Sequence, residues 1–414
     1  MSNQAKLILC ILTASLTGVL LAGCTANVAG GTDYPNTRTV AGVVHSSADI
    51  PVPGAKVKII DDANWLSDVV TGKSVVLDSA TCDKSGVFSI KPPASGAWNI
   101  QIDSKDEGLL ARKFNEQYDS AKDTTYKFNL KSYATLSGTV QPDAGTAQLL
   151  LLSGSGYQAP VNADKSFSFA AAEGAYAMIS GTETGGGQQR CLAASVQMNA
   201  GASVTGQTIV APVNRILVDD FTVGGFVTNL GRLIGGGWWY DVNDSASGSQ
   251  STISLGVVSG AEAYAGQSLH AVYALDPQSA DPWALMGFFL GKDSTNYDLS
   301  SLTSLSFMAR GTGTVEIRFY SRMMDSINGN TFQQFAYVLP LPAAWTKVIV
   351  PVDSVKLPSS CPAAQQGITW AQVAPTVQII YFTAYTPQNN PGDTINLWLD
   401  DVSLDGMKLE TFVK

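Results

Sequence analysis

The chain has 414 residues, a formal net charge of -9 and only 14% charged residues. That balance excludes a nucleic-acid partner, which needs clustered cations, and disfavours polyanionic glycans. Neutral glycans or hard cations such as calcium suit it better, and the length exceeds one typical domain.

The first element is Lys6 followed by the apolar run Leu7 to Leu21. It is too short and weakly flanked for a spanning helix and reads as the h-region of a secretory signal, residues 1–23. Leu21-Ala22-Gly23-Cys24 resembles the lipobox of bacterial lipoproteins. The resemblance implies lipidation of Cys24 and a membrane anchor of several acyl chains. Thr25 stands where Asp would mark inner-membrane retention, so the expected address is the outer membrane. Residues 24–36 are small and polar and read as a tether. Without Cys10 and Cys24, the thiols Cys82, Cys191 and Cys361 form neither a disulfide framework nor a CxxC zinc pair.

From Arg38 apolar residues recur with period two, the pattern of a β-sandwich. Val40, Gly42 and Val44 alternate against Thr39, Ala41 and Val43, and Val57 and Ile59 against Lys56 and Lys58. Asp83-Lys84-Ser85-Gly86 reads as a hairpin turn, with Gly86 at positive φ and Phe88 returned to the core. TVAGVV (39–44), PVPGAKVKI (51–59), ATCDKSGVFSI (80–90) and SGAWNIQID (95–103) resemble the carboxypeptidase regulatory-like, or prealbumin-like, domain over residues 37–132. The resemblance implies a spacer or presentation module. Leu136-Ser137-Gly138-Thr139-Val140, Asn162 to Phe167 and Gly174-Ala175-Tyr176 repeat its landmarks, so residues 133–212 read as a second, shorter copy. A divergent insertion is the alternative.

Residues 213–407 open with Ile216-Leu217-Val218-Asp219-Asp220-Phe221 and close with Leu397-Trp398-Leu399-Asp400-Asp401-Val402, leaving 408–414 as a tail. Together with Asp298-Leu299-Ser300, Phe307-Met308-Ala309-Arg310-Gly311 and Trp345-Thr346-Lys347-Val348-Ile349-Val350-Pro351, they resemble family 11 carbohydrate-binding modules. The expected architecture is therefore all-β, with two small prealbumin-like sandwiches followed by a larger jelly roll.

Jelly-roll termini lie on neighbouring strands, so Asp219, Asp220, Asp400 and Asp401 are expected near one edge. There they either share a structural Ca²⁺, as family members often do, or serve as turn caps and solvated side chains. Alternation on 315–322 sends Val315, Ile317 and Phe319 inward and Glu316, Arg318, Tyr320 and Arg322 outward. Tyr381, Thr383 and Tyr385 share a face of the strand 377–385, and Gln333 and Tyr337 share one between. Arg318, Tyr320, Gln333, Tyr337 and Tyr381 form the candidate glycan face, since rings stack on pyranose C–H faces while polar groups hold hydroxyls. After Val350-Pro351 the family's best-known members can carry an Arg-x-Asp-Tyr cluster; here Lys356 to Cys361 follow. Trp345 and Trp398 are expected in the core, as is one of Trp238 and Trp239, the other being a rim residue.

His45 and His270, the only histidines, lie in no catalytic motif, and no phosphate loop or nucleophile elbow is present. The expectation is a lipid-anchored polysaccharide-binding protein without catalysis, its favoured ligand a neutral β-glucan. The alternatives are a structural or protein-interaction lipoprotein and, more weakly, a glycoside hydrolase.

Overall fold

A computed structural model describes residues 39–93, 95–117, 124–142, 147–184, 187–211, 214–292, 295–328, 333–359, 361 and 365–413. Cys24, the signal and the tether lie outside these residues. The architecture is all-β.

The first sandwich pairs a three-stranded sheet with a five-stranded one. In the smaller sheet Val40–His45 lies between antiparallel Val87–Ile90 and parallel Thr124–Asn129. Val40 and Val44 point inward and are buried with Val57, Ile59, Phe88, Trp98, Ile100 and Ile102. Between them Gly42 is sterically required. A Cβ there would stand 2.6 Å from the Phe88 ring and 2.7 Å from the Tyr126 carbonyl of the parallel neighbour.

The Asp83–Gly86 turn closes as expected, with Gly86 at φ 74° and Asp83 Oδ1 accepting from the Ser85 and Val87 amides. It does not make a hairpin. Val76–Thr81 pairs with Lys56–Asp61 in one sheet, while Val87–Ile90 pairs with Val40–His45 in the other. The turn carries the chain across the sandwich.

The second sandwich repeats this topology, apart from the short strand Lys131–Ser132 at the edge of the first. Its small sheet has Ala134–Pro142 between antiparallel Ser166–Ala171 and parallel Ser203–Ala211. Gln158–Pro160, Ala147–Leu152, Gly174–Thr184 and Gly187–Met198 form the opposing order. Gly138 is the counterpart of Gly42, since its Cβ would meet the Gln207 carbonyl of the parallel neighbour at 1.9 Å. Lys165, at φ 67°, replaces Gly86 in the crossing turn. The two sandwiches thus share their connectivity and a glycine constraint.

The third sandwich is built on Thr394–Asp405. Ser304–Thr312 runs along one side of it, while Gln267–Ala274 and Arg215–Asp219 divide the other. Thr252–Ser259 and Thr346–Pro351 are outermost. The facing sheet has the order Trp239–Asn243, Trp283–Phe289, Val377–Tyr385, Thr314–Ser321, Phe335–Pro340, all antiparallel.

The sandwiches are fused rather than strung out, and residues 38–414 form one compact unit. Leu192 pairs in parallel with Ile216, joining second and third. The helix Trp65–Thr71 of the first sandwich buries Trp65, Leu66 and Val69 in the core that also holds Leu192, Ile216 and Phe221. Trp65 Nε1 donates to the Ser155 carbonyl at 2.9 Å, and Asn99 Nδ2 to the Gly154 carbonyl at 2.9 Å. The expected tail is also part of the fold. Leu409–Phe412 is a 3₁₀ turn with Leu409 and Phe412 buried, because the Phe412 ring packs 5.3 Å from Tyr297.

Candidate functional site

Strand register maps the outer face of the five-stranded sheet residue by residue, since directly opposed residues share a face. One row across the sheet is Tyr240, Gly287, Tyr381, Arg318, Ala336. Beside it runs Val242, Leu285, Thr383, Glu316, Val338, and on the other flank Phe289, Ile379 and Tyr320. Val315, Ile317, Phe319, Ile380 and Phe382 face the core, as the alternation requires.

The middle of this face is a buried polar network under rings. Arg318 is 5% exposed and Tyr381 4%. Arg318 Nε donates to Glu316 Oε1, and the Tyr385 hydroxyl donates to Glu316 Oε2. The guanidinium carbon lies 5.0 Å from the Tyr385 ring centre. Burial pushes the Tyr381 hydroxyl up to about 12, against the opposing pull of Arg318, so it stays neutral at physiological pH while its oxygen accepts from the guanidinium. Gly287 makes the site compact: a Cβ there would meet Tyr381 Cβ at 2.6 Å and the Tyr240 hydroxyl at 3.2 Å. Around the network Trp238, Tyr240, Phe289, Tyr320 and Tyr385 remain half-exposed. The Phe289 ring is 5.0 Å from Trp238 and 4.9 Å from Tyr240.

Of the five expected glycan contacts, Arg318, Tyr320 and Tyr381 are brought together. Tyr337 is not with them. It is opposed to Ile317 and packs against the core between Phe335 and Leu339, whose parity it shares. Gln333 precedes the strand Phe335–Pro340 and is half-buried. Tyr240 and Phe289 were not anticipated. Phe289 hides in the apolar run Trp283 to Leu290, and the signal that could have found it is Gly287, a mid-strand glycine marking close approach on one face. The Trp pair divides as expected, with Trp239 in the core and Trp238 half-exposed.

The two expected core tryptophans, Trp345 and Trp398, are instead half-exposed on the outer face of the other sheet. His270, Trp398 and Arg310 are in register across three strands. The His270 ring stacks 4.0 Å from Trp398, and Arg310 lies 4.5 Å from Trp398 and 5.4 Å from Trp345. Tyr264 ends the ladder, 5.6 Å from Trp345. These ring faces are occupied by one another.

The acidic pairs lie on adjacent strands, as Asp219 opposes Val402. Among the described residues no three Asp, Glu, His or Cys side chains converge as metal ligands. Protein donors reach their oxygens. Asp219 accepts from Trp239 Nε1 at 2.9 Å and the Phe221 amide at 3.1 Å. Asp220 accepts from Ser195, Thr222 and Asn229. Asp400 accepts from Ser268 Oγ at 2.8 Å and the Asp401 amide at 2.8 Å, while Asp401 adopts φ 50° at a register shift. Burial pushes both Asp219 and Asp400 up to about 7.

No family model and no curated protein matches the chain. Among solved structures it is similar to the family 11 carbohydrate-binding module of the cellulosomal cellulase Lic26A-Cel5E of Clostridium thermocellum. The identity is 17% and the TM-score 0.32, over 47% of this chain and 95% of that one. A family 11 module from Clostridium thermocellum in complex with a β-1,3-1,4-mixed-linked tetrasaccharide gives 16% and 0.33, over 47% and 97%. A family 30 carbohydrate-binding module gives 16% and 0.28, over 37% and 74%. A sandwich does not decide a ligand; the side chains on its faces do.

Proposed function

We propose that this chain is a lipid-anchored protein of the cell envelope that binds a neutral polysaccharide across the outer face of the five-stranded sheet. The observation that carries this reading is the ring of half-exposed Trp238, Tyr240, Phe289, Tyr320 and Tyr385 around the Glu316–Arg318–Tyr381 network. Sugar faces need apolar platforms beside a few fixed polar groups, and this face supplies both. Arg318 is neutralised by Glu316, which favours an uncharged ligand. Five strands span about 19 Å at the usual strand spacing, a length suited to an extended chain such as a β-glucan. Lipidation at Cys24 and an outer-membrane address complete the proposal.

The test is affinity electrophoresis of residues 38–414 through gels containing neutral β-glucan. Retention that is lost in Tyr320→Ala and insensitive to salt supports the proposal. No retention on glucans, xylans or mannans would overturn it.

A further inference from the structure

The third sandwich leaves one of its edges unprotected. Thr252–Ser259 pairs over eight residues with Gln267–Ala274, with no register shift, and with no other strand among the described residues. Its sequence TISLGVVS contains no charge and no proline, and every residue of it is at least partly exposed. Proteins commonly blunt such edges with lysine, proline, bulges or brevity. The other outer strands of the third sandwich and its continuous neighbours are blunted in this way. Thr346–Pro351 carries Lys347 and Pro351, Phe335–Pro340 ends in proline, and Trp239–Asn243 carries Asp241. Gln158–Pro160 has three residues, and Ser203–Ala211 is interrupted by a register shift.

We propose that Thr252–Ser259 is a dimerisation seam, where the same strand of a second copy adds antiparallel and extends the sheet. The strand is self-complementary about Gly256. Ile253 and Leu255 pack toward the core, while Ser254, Gly256 and Val258 share the outer face with Val272, His270 and Ser268. A two-fold axis at Gly256 sets Leu255 against Val257 of the second copy and Ser254 against Val258, so inward residues meet inward ones. Only registers that preserve this parity keep the hydrophobic set on one side. Because no residue of the strand is charged, the overall -9 of each chain is not concentrated at the seam. Gly256 itself has nothing within 4 Å of where a Cβ would stand, and side chains project out of the sheet plane, so a side chain at this position leaves the backbone free to pair. The two five-stranded sheets would then lie on the same side of the joined sheet, presenting both proposed glycan faces to one polymer. That last consequence rests on the glycan reading; the dimer does not.

Analytical ultracentrifugation of residues 38–414 tests the seam without any glycan. The expected wild-type species is a dimer. Gly256→Lys and Gly256→Glu each set like charges directly opposite one another across the axis, and each is expected to weaken association roughly tenfold or more. Mixing the two variants is expected to restore a heterodimer, because opposite charges then meet at the same position. Gly256→Thr, with melting curves for all variants, controls for folding and should keep the dimer. A wild-type monomer, dimers indifferent to Gly256→Lys, or a mixture that fails to pair would overturn the proposal.

Discussion

Asp219→Asn is expected to change how stability depends on pH. The carboxyl is buried between the Trp239 indole and the Phe221 amide, and burial raises it from 3.8 to about 7. The folded state therefore holds this proton more tightly than the unfolded chain. Its contribution is fully present below about pH 4 and is lost as pH rises through about 7. The difference between the two values corresponds to on the order of 4 kcal/mol. Asparagine has no proton to lose, so that part of the slope vanishes. Asp400 and Asp401 are raised by burial as well, and the wild-type curve falls in the same direction for them too. The informative quantity is hence the difference between variant and wild type, measured by denaturant unfolding at a series of pH values. It should move in favour of the variant between acid and mildly alkaline pH. A constant difference would refute the reasoning, whatever its absolute size, which also includes the altered donor pattern around residue 219.

Three further outcomes are expected. Cys24→Ser should abolish lipid labelling and release the protein from the membrane fraction on extraction; unchanged labelling would remove the anchor. A chelator should leave the melting temperature of residues 38–414 unchanged, since Asp219, Asp220 and Asp400 use their oxygens on protein donors; a calcium-dependent shift would show that a cation gathers them. Tyr381→Ala should lower stability by about 3–5 kcal/mol, the range for a buried aromatic, whereas Tyr320→Ala should cost much less because its ring is half-exposed; thermal melts compare the two.

Strand alternation made most of the architecture legible, and the Gly-x-Val motif has a physical reason in the carbonyls that approach Gly42 and Gly138. What it could not convey was which sheet each strand joins. The Asp83–Gly86 turn has hairpin chemistry, yet turn residues dictate only the local reversal, and the partners of Val87–Ile90 lie more than forty residues upstream. Tyr337 shares the parity of Phe335 and Leu339, which mark its face as core rather than open. Trp345 and Trp398 were expected inside because large apolar rings usually are. Arg310 and His270, which cover their faces, come from distant strands that no local pattern connects. The aspartates were correctly placed on neighbouring strands, but side-chain direction and donor supply set what they bind, and neither is visible in a pair of letters.

The most direct test of the central claim compares three proteins on one neutral β-glucan by isothermal titration calorimetry. These are residues 38–414 as they stand, the double variant Tyr240→Ala/Tyr320→Ala, and Tyr264→Ala, which removes an exposed ring packed on Trp345, away from the five-stranded sheet. Binding by the first, its loss in the second with folding retained, and its persistence in the third are the expected results. Equal binding by all three, or loss only in Tyr264→Ala, would contradict the assignment of the sugar to the five-stranded sheet.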